Sequence, residues 1–360
     1  MKKAELVEKC KQFGIDVGSK KKAELIELLS MQKAAPKVER ASPLNVIDLF
    51  CGCGGMSKGL TEAGLNIIAG IDIWDKAVEN YNKNFEHKAY CQDLTQFPPE
   101  RFDELYNKEK KVVDVLVGGP PCQSFSIAGK RDKNDPRNAL FMEYVKYLDY
   151  FKPKAFLMEN VIGMLSKKTA TGEKVIDIIM EQLNRHYTCV ITKLYASDFE
   201  VPQNRRRVII IGIRKDLNIT PKEPVPVIKS PQNRIPVKTI LLPKESVDQK
   251  YYLSEKALAG IKNKKGVNKE KGFGFGAQML DPEKPSYTIP ARYWKDGYDA
   301  LVKYSDTEIR RLTITELKRI QSFPDTYILE GSNKDIIMQI GNAVACRFAY
   351  HLGNYINTLL

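Results

Sequence analysis

Apolar runs of strand length alternate with amphipathic segments of helix length along the chain from Leu44 onward. Strands separated by helices form βα units, and their parallel strands are buried on both faces and appear as continuous apolar runs. The pattern therefore predicts an α/β fold with a doubly wound, mostly parallel sheet. The six predicted strands are NVIDLF, LNIIAGID, VVDVLVGG, KAFLMEN, CVITKLYA and RVIIIGI.

The segment before this alternation has a different pattern. Residues 1–32 predict a helical hairpin made of two short amphipathic helices, KAELVEKCKQFG and KKKAELIELLS. Residues 33–43 are polar, contain Ala and Pro, and are expected to be a linker. The predicted α/β domain then occupies residues 44–215.

The pattern also changes after the last predicted strand. Residues 216–304 are rich in Pro and Lys and contain glycine clusters, which predicts a smaller, loop-rich second domain. Helical patterns return at Asp306–Phe323 and at Gly341–Leu360. We therefore expect residues 305–360 to return to the α/β domain.

The positive charge of the chain is concentrated in two segments. The net charge is +13, from 57 basic and 44 acidic residues. Residues 1–43 carry 10 basic and 6 acidic groups, and residues 214–304 carry 18 and 10. A basic surface favours a polyanion such as nucleic acid, because Lys and Arg gain by displacing condensed counterions. Lysines that merely keep the protein soluble are the alternative.

Several classes of protein are poorly supported by the composition. No stretch approaches the roughly 18 apolar residues of a membrane span, and the N-terminal segment lacks the apolar core of a signal peptide. The seven cysteines contain no CxxC pair and there are three histidines, which argues against a disulfide framework and a zinc site. We expect a cytoplasmic protein with no metal and no membrane contact.

A glycine-rich turn and two carboxylates follow the first three predicted strands. In DLFCGCGGMSKG, the residues Gly52, Gly54 and Gly55 allow a ligand close to the backbone before a helix begins. Asp72 ends the second strand, where nucleoside-binding α/β folds hold ribose hydroxyls, and Asp93 after the third could accept from an exocyclic amine. Each carboxylate alone could instead be a solvent-facing cap.

A proline-rich loop presents a cysteine after the next strand. In GGPPCQSFSIAG, prolines fix the backbone ahead of Cys122, so that this residue lies on a stiff loop rather than in a helix or strand. A buried structural thiol is the alternative interpretation.

Further motifs follow in order, and together they resemble the DNA (cytosine-5) methyltransferases. The resemblance spans residues 44–360 apart from roughly 216–300, the variable target-recognition region of that family. It implies a Rossmann-like methyltransferase sheet with a smaller target-recognition domain. The motifs are PPCQSFS (Pro120–Ser126), MENV (Met158–Val161), QNRRR (Gln203–Arg207), RRLTITELKRIQSFPDTY (Arg310–Tyr327) and IGNAV (Ile340–Val344).

The resemblance implies a catalytic role for each of four residues. Cytosine C5 is a poor nucleophile, so a thiolate, here Cys122, must add at C6 before C5 can attack the methyl group of S-adenosylmethionine. Glu159 would bind N3 and the exocyclic amine, Arg207 would reach O2, and Arg205 would brace the same site. Asn160 would steady the nucleophile loop.

The resemblance also implies the cofactor site. Many members have Glu where this chain has Asp72, which leaves open whether Asp72 or a water contacts the ribose. The implied residues that contact S-adenosylmethionine are Phe50, Gly52, Gly54, Gly55, Asp72, Ile73, Trp74, Asp93, Asn342 and Val344.

The implied partner is double-stranded DNA, from which the target cytosine is flipped into the pocket. The chain is most similar to modification enzymes of bacterial or phage restriction systems, which implies a cognate restriction endonuclease, a monomer on DNA and association with the nucleoid. Residues 1–32 resemble SAP-type nucleic-acid-binding modules. Aromatic residues that are candidates for base reading are Phe273, Phe275, Tyr287, Tyr293 and Trp294.

Two alternatives stay open at this point. The tRNA cytosine-5 methyltransferase branch shares the chemistry, but its loop usually continues PPCQPF and its Cys-Phe-Thr signature is absent from this sequence. A catalytically silent DNA-binding paralogue is the other alternative, and the intact Cys122, Glu159 and QNRRR argue against it.

Overall fold

The described residues form a seven-stranded sheet, and strand β1 (Asn45–Leu49) is one of its interior strands. The computed structural model describes residues 42–121, 139–169, 172–261, 277–295 and 297–360. The predicted helical hairpin of residues 1–32 lies outside the described residues, as do Cys122, Phe273 and Phe275.

Helices and strands alternate through the first half of the described chain. In the second half, one helix that is left unlabelled begins at residue 255 and continues to residue 261, where its described segment ends. The remaining strands are β2 (Asn66–Asp72), β3 (Ala89–Cys91), β4 (Val115–Gly118), β5 (Ala155–Val161), β6 (Tyr187–Tyr195), β7 (Arg206–Arg214), β8 (Leu301–Lys303) and β9 (Ile309–Arg311). The helices are α1 (Gly55–Glu62), α2 (Asp75–Asn82), α3 (Pro99–Leu105), α4 (Ala139–Phe151), α5 (Val175–Leu183), α6 (Ile314–Ile320), α7 (Asn333–Asn342) and α8 (Cys346–Leu359).

The sheet is parallel on one side and antiparallel at one edge. Its strand order is β3-β2-β1-β4-β5-β7-β6, and the five strands β1 to β5 are all parallel. Strand β7 lies between β5 and β6 and runs antiparallel to both. The short connection between β6 and β7 suits antiparallel neighbours, since a parallel pair needs a longer crossover. The predicted α/β fold with a mostly parallel sheet is confirmed.

Two apolar cores cover the two faces of this sheet. Alternate residues of each strand belong to different cores, as expected for strands buried on both sides. Ile47 and Leu49 pack with helices α4 and α5, whereas Val46 packs with α1 and α8. Because α8 lies near the end of the chain, residues 346–359 complete a layer that begins with α1.

A third core lies in the residues after the main sheet. It includes Val237, Ile289 and Tyr293 together with residues of α6 and α7. Next to it, the Arg310 guanidinium makes a bidentate ion pair with Glu316 at 2.8 Å for each contact. Both side chains are fully buried, so removing one partner would leave an uncompensated charge.

Two predicted helical segments are corrected by the structure. In residues 306–323, Ile309–Arg311 is strand β9, paired antiparallel with β8. The helix α6 begins only after Thr313, whose side chain forms a capping box with Glu316. The predicted helix at 341–360 is the end of α7 and the whole of α8, because Ala343 and Ala345 have extended backbone angles that interrupt it.

None of the helices in the described segments combines the length and apolar character that a membrane crossing requires.

Candidate active site

A cavity of about 710 Å³ opens at the edge of the sheet where the parallel strands end. Ligand sites of open α/β sheets lie at this edge, because the loops after the strands converge there. The turn after β1, the end of β2, the loop after β4 and the end of β5 all contribute to it. Residues from the later chain, Thr288–Ala291 and 341–344, form the facing wall.

An ion pair between Glu159 and Arg207 lines the cavity at the ends of β5 and β7. Because β7 is antiparallel to β5, its first residues reach the same edge as the last residues of β5, and Arg207 pairs in register with Val161. Glu159 lies two residues from Val161 on the same face, so it is diagonal to Arg207. The Arg207 Nε lies 2.7 Å from the Glu159 Oε1.

The geometry of this pair leaves both groups able to contact a further molecule. Each side chain is 11% exposed. Neither Arg207 Nε nor Glu159 Oε1 has an aligned hydrogen bond among the described residues, despite their short separation. Both residues line the cavity, so a planar ligand there can donate to the Glu159 carboxylate and accept from the Arg207 guanidinium through their remaining polar atoms.

Arg205 is buried behind this pair and connects it to the C-terminal wall. Its Nη1 donates to the carbonyl of Gly341 at 3.0 Å. Burial lowers the pKa of Arg205 to about 9, an effect increased by the Arg207 cation and opposed by Glu159. The guanidinium remains charged at neutral pH, and it holds β7 against the segment that contains Asn342.

Two buried glutamines that sequence reasoning missed connect the same regions. Gln203 Nε2 donates to Gln321 Oε1 at 3.0 Å, and Gln203 Oε1 accepts from the backbone N–H of Ile289 at 3.0 Å. Gln321 Nε2 donates to the Ile340 carbonyl at 2.8 Å. Gln203 and Gln321 lie in the quoted motifs QNRRR and RIQSFP, but the motifs alone do not show that the two amides meet.

The turn after β1 and the end of β2 are tied together by Asp72. Its two carboxylate oxygens accept from the backbone N–H groups of Gly52 and Trp74, each at 2.8 Å. Burial raises the pKa of Asp72, and these hydrogen bonds oppose the rise. Phe50 has a φ of 60°, a left-handed value that is uncommon outside glycine and is found at functional sites.

The three glycines of the turn have different surroundings. Gly52 lines the cavity with a φ of 53°, and an added Cβ there would meet no atom within 4 Å. Gly54 and Gly55 do not line the cavity. A Cβ on Gly55 would come within 2.2 Å of the Val344 carbonyl oxygen, so this glycine allows the C-terminal wall to approach α1.

The other predicted cofactor residues all line the cavity: Ile73, Trp74, Asp93, Asn342 and Val344. Ile73 is 67% exposed, which is unusual for an apolar side chain and suits a flat ligand surface. The Asp93 Oδ1 accepts from the backbone and hydroxyl of Thr95. This local turn leaves its other oxygen for a ligand.

The nucleophile predicted at Cys122 follows the last described residue of its loop, Pro121. Pro120 and Pro121 line the cavity, and Asn160 Nδ2 donates to the Pro120 carbonyl at 2.9 Å. Asn160 thus links the end of β5 to this loop.

Two other cysteines, Cys51 and Cys53, also line the cavity. Burial raises the pKa of Cys53 to about 12 and that of Cys51 well above its usual value, so both stay protonated at neutral pH.

Of the candidate base-reading aromatics, Tyr293 has a structural role. Its side chain is 2% exposed in the third core, and its hydroxyl donates to Ala300 and accepts from Leu312 N–H. Tyr287 is 41% exposed. Trp294 has the ammonium of Lys334 5.0 Å from its ring centroid. Within the described ranges, no group of three or more His, Cys, Asp or Glu residues could hold a metal ion.

A buried carboxyl, Asp48, begins a chain of polar contacts beside the cavity. Ser57 Oγ donates to its Oδ2 at 2.6 Å, and the Tyr81 hydroxyl donates to Ser57 Oγ at 2.8 Å. His87 Nε2 lies 2.9 Å from that hydroxyl. Burial raises the pKa of Asp48 to about 7, with repulsion from Asp72 adding to the rise and the Ser57 hydrogen bond opposing it.

The Asp48→Asn variant is expected to lose a pH dependence of stability. The folded state keeps the Asp48 proton up to about pH 7, whereas the unfolded chain, with a pKa of 3.8, releases it earlier. Asp48 therefore makes the folded state less stable as the pH rises from about 4 to 7, with no further change above that range. Asparagine retains an acceptor for Ser57 and does not titrate.

Urea unfolding of both proteins at pH 5 and pH 7 tests this prediction. The parent should lose about 2 kcal/mol more than the variant between the two conditions. Equal losses in both proteins would show that Asp48 ionises normally in the fold.

The sequence matches one protein family and is similar to individual known proteins. The model of the C-5 cytosine-specific DNA methylase family matches residues 44–358. The chain is 34% identical over 302 residues to the type II methyltransferase M.SsoII of Shigella sonnei, covering 83% of this chain and 76% of that protein. It is 34% identical over 351 residues to M.FnuDI of Fusobacterium nucleatum, covering 88% and 95%.

Solved structures share the fold. The Dnmt2 methyltransferase of S. pombe superimposes with a TM-score of 0.67 at 22% identity, covering 88% of this chain and 98% of that one. A mutant of Spodoptera frugiperda DNMT2 gives a TM-score of 0.68 at 23% identity, covering 87% and 99%.

Proposed function

Since the chain belongs to the C-5 cytosine-specific DNA methylase family, we propose that it methylates C5 of a flipped cytosine in a specific duplex DNA sequence. The methyl donor in this proposal is S-adenosylmethionine, and the reaction passes through a covalent bond between Cys122 and C6 of the cytosine. The family relationship supports DNA cytosine methylation, and the arrangement of the cavity supports the finer steps.

The observation that carries the proposal is the Glu159–Arg207 pair in the same cavity as the Asp72 turn. A cytosine ring offers N3, O2 and an exocyclic amine along one edge. A carboxyl group can hold a proton at N3 and accept from the amine, and a guanidinium can donate to O2. Glu159 and Arg207 are ion-paired and line the same cavity, which supports their joint contact with one planar ring.

The chain's residues divide the work in the proposed reaction. The Cys122 thiolate adds to C6, and the electron density gained by the ring is stabilised by a proton that Glu159 holds at N3. The methyl group would come from S-adenosylmethionine: the electron pair at C5 would displace it from the sulfonium sulfur, and S-adenosylhomocysteine would leave. Removal of the C5 proton by a base restores the double bond and expels the cysteine.

The residues at the other end of the cavity fit S-adenosylmethionine, which supplies an electrophilic methyl group when bound. The Asp72 carboxylate has about four acceptor positions and gives one on each oxygen to a backbone N–H. The remaining positions can accept from ribose hydroxyls. Ile73 offers an apolar surface to the adenine, and Gly52 leaves the backbone open beside the methionine part.

The proposal also assigns parts of the chain to partners. The segment 216–304, which has a net positive charge, would select the DNA sequence. Residues 1–32 would add affinity for the DNA phosphates. By similarity to the type II methyltransferases, the chain would act as a monomer beside a cognate restriction endonuclease in a bacterial or phage system.

Bisulfite sequencing of DNA from cells that express the protein tests the reaction and its specificity together. We expect 5-methylcytosine at one short sequence and none in cells that express Cys122→Ala. Purified protein with labelled S-adenosylmethionine should label duplex DNA and not tRNA. Labelling of tRNA alone would support the tRNA branch, and DNA binding without labelling would identify a silent paralogue.

A further inference from the structure

Arg206 is an exposed arginine that the proposed reaction does not use. It is the first residue of β7, and alternation along the strand turns its side chain to the face opposite that of Arg207. Arg207 lines the cavity, whereas Arg206 does not. Within the part of the chain that the structure describes, the Arg206 guanidinium donates no hydrogen bond and forms no ion pair. Its five N–H groups are therefore all available to a further molecule.

An aromatic ring fixes the position of this guanidinium. Tyr195 ends β6 and pairs in register with Arg206, so the two side chains project from the same face of the sheet. The Arg206 Cζ lies 5.2 Å from the centroid of the Tyr195 ring. This distance is within the range of cation–π attraction, which extends to about 6 Å. Tyr195 thus holds Arg206 without using any of its N–H donors.

A second arginine contacts the same ring, but its charge is neutralised. The Arg234 Cζ lies 5.4 Å from the Tyr195 centroid, and Arg234 Nε donates to Asp198 Oδ1 at 2.7 Å. Asp198 and Arg234 together therefore contribute no net charge. Arg206 has no acidic partner of this kind among the described residues, so its positive charge stays uncompensated. The partner that this surface fits is an anion.

The group around Tyr195 adjoins the wall of the cavity. Arg234 Nη1 donates to Asn204 Oδ1 at 3.4 Å, and the Asn204 carbonyl accepts from Thr288 Oγ1 at 3.1 Å. Thr288 lines the cavity. A nucleotide that is flipped by rotation about its backbone places its base in a pocket and leaves its phosphates outside. The phosphates of a DNA strand whose cytosine enters the cavity therefore pass the edge of the sheet where Arg206 lies.

We propose that the Arg206 guanidinium binds a phosphate group of the DNA strand beside the flipped cytosine. This inference rests on the proposed function, because it needs duplex DNA at the cavity. A planar guanidinium matches two oxygens of one phosphate, to which it donates parallel hydrogen bonds. Tyr195 acts as a positioning residue, since a guanidinium already held on a ring loses less freedom on binding.

The test measures how the affinity for DNA depends on salt. Fluorescence anisotropy gives the dissociation constants of the full chain for two duplexes of equal length, one with the sequence mapped by bisulfite sequencing and one with that sequence scrambled. At low salt, we expect Arg206→Gln to bind both duplexes about 10-fold more weakly. The slope of the logarithm of affinity against the logarithm of salt concentration should become shallower by about 0.9, the contribution of one phosphate contact.

Two further variants separate a phosphate contact from a general effect of charge. Arg185 is also exposed, but it precedes β6, whose nine residues extend about 30 Å from there to the edge of the cavity. Arg185→Gln should leave the affinity and the slope unchanged. Arg206→Lys keeps the charge, so it should restore the slope. It should recover only part of the affinity, because an ammonium group lacks the paired donors of a guanidinium.

The other outcomes overturn the inference. A parental slope in Arg206→Gln would remove Arg206 from the phosphates and leave the proposed function standing. A loss confined to the mapped sequence would assign Arg206 to base reading, since a phosphate contact carries no sequence information. An equal loss in Arg185→Gln would show that any surface charge has the same effect. If no methylated sequence is found, or the parent binds neither duplex, the proposed function fails and this inference fails with it.

Discussion

Replacing Cys122 with alanine is expected to abolish methyl transfer while S-adenosylhomocysteine and duplex DNA still bind. Without addition at C6, C5 of cytosine has too little electron density to attack the methyl group. Methyl transfer is measured as tritium incorporated into duplex DNA from labelled S-adenosylmethionine. Binding is measured separately: calorimetry gives the affinity for S-adenosylhomocysteine, and fluorescence anisotropy gives the affinity for duplex DNA.

Cys189→Ala is the matched control for this prediction. Cys189 lies on β6, outside the cavity, and burial raises its pKa to about 12. Its removal should leave the rate of methyl transfer unchanged. Activity that survives in Cys122→Ala but disappears in another cysteine variant would place the nucleophile elsewhere.

The Glu159→Gln variant is expected to lower kcat by about 10²- to 10⁴-fold, the usual contribution of a positioned acid or base. Glutamine has a similar size and can still accept from the exocyclic amine, but it cannot hold a proton at N3. The ring then gains charge without protonation when the thiolate adds. The affinity for S-adenosylhomocysteine should change little, because Glu159 belongs to the proposed cytosine site and not to the proposed cofactor site.

Single-turnover rates of Glu159→Gln, measured with saturating cofactor and DNA, separate the chemical step from binding. Glu143→Gln is the control, since Glu143 is also a buried carboxylate with a cationic partner, Lys146, but lies outside the cavity. A Glu159 variant with normal kcat and a raised KM would assign this residue to binding alone.

The sheet and much of the candidate site could be predicted from the sequence for local reasons. Strands β1, β2 and β4 are continuous apolar runs, and turn residues follow each of them at the edge where parallel strands end. The residues after these strands therefore converge whatever the details of packing. This explains why Asp72 could be named from its position alone, whereas Phe50 and Glu159 were named only through the resemblance to the methyltransferase family.

The features that sequence did not predict depend on contacts between distant segments. The Gln339 side chain accepts a hydrogen bond from Asn80, which lies 259 positions away in the chain. Gln203 meets Gln321 across 118 positions. No periodicity or spacing encodes such a meeting, because the two partners lie on separate elements that the fold brings together.

Element boundaries in the C-terminal region were missed for a different reason. Ile309–Arg311 has an apolar residue and two basic ones, which fits one turn of an amphipathic helix as well as a short strand. Pairing with β8 and burial of the Arg310–Glu316 pair decide in favour of the strand. Tertiary contacts thus overrode an ambiguous local pattern.

Trapping on duplex DNA that contains 5-fluorocytosine at the target position tests the proposed covalent mechanism most directly. In normal turnover the C5 proton leaves after methyl transfer and the cysteine is then expelled, whereas fluorine cannot leave as a cation. With S-adenosylmethionine present, the account predicts a stable conjugate that mass spectrometry maps to Cys122. A conjugate mapped to Cys51, Cys53 or another cysteine, or trapping on tRNA but not on DNA, would contradict it.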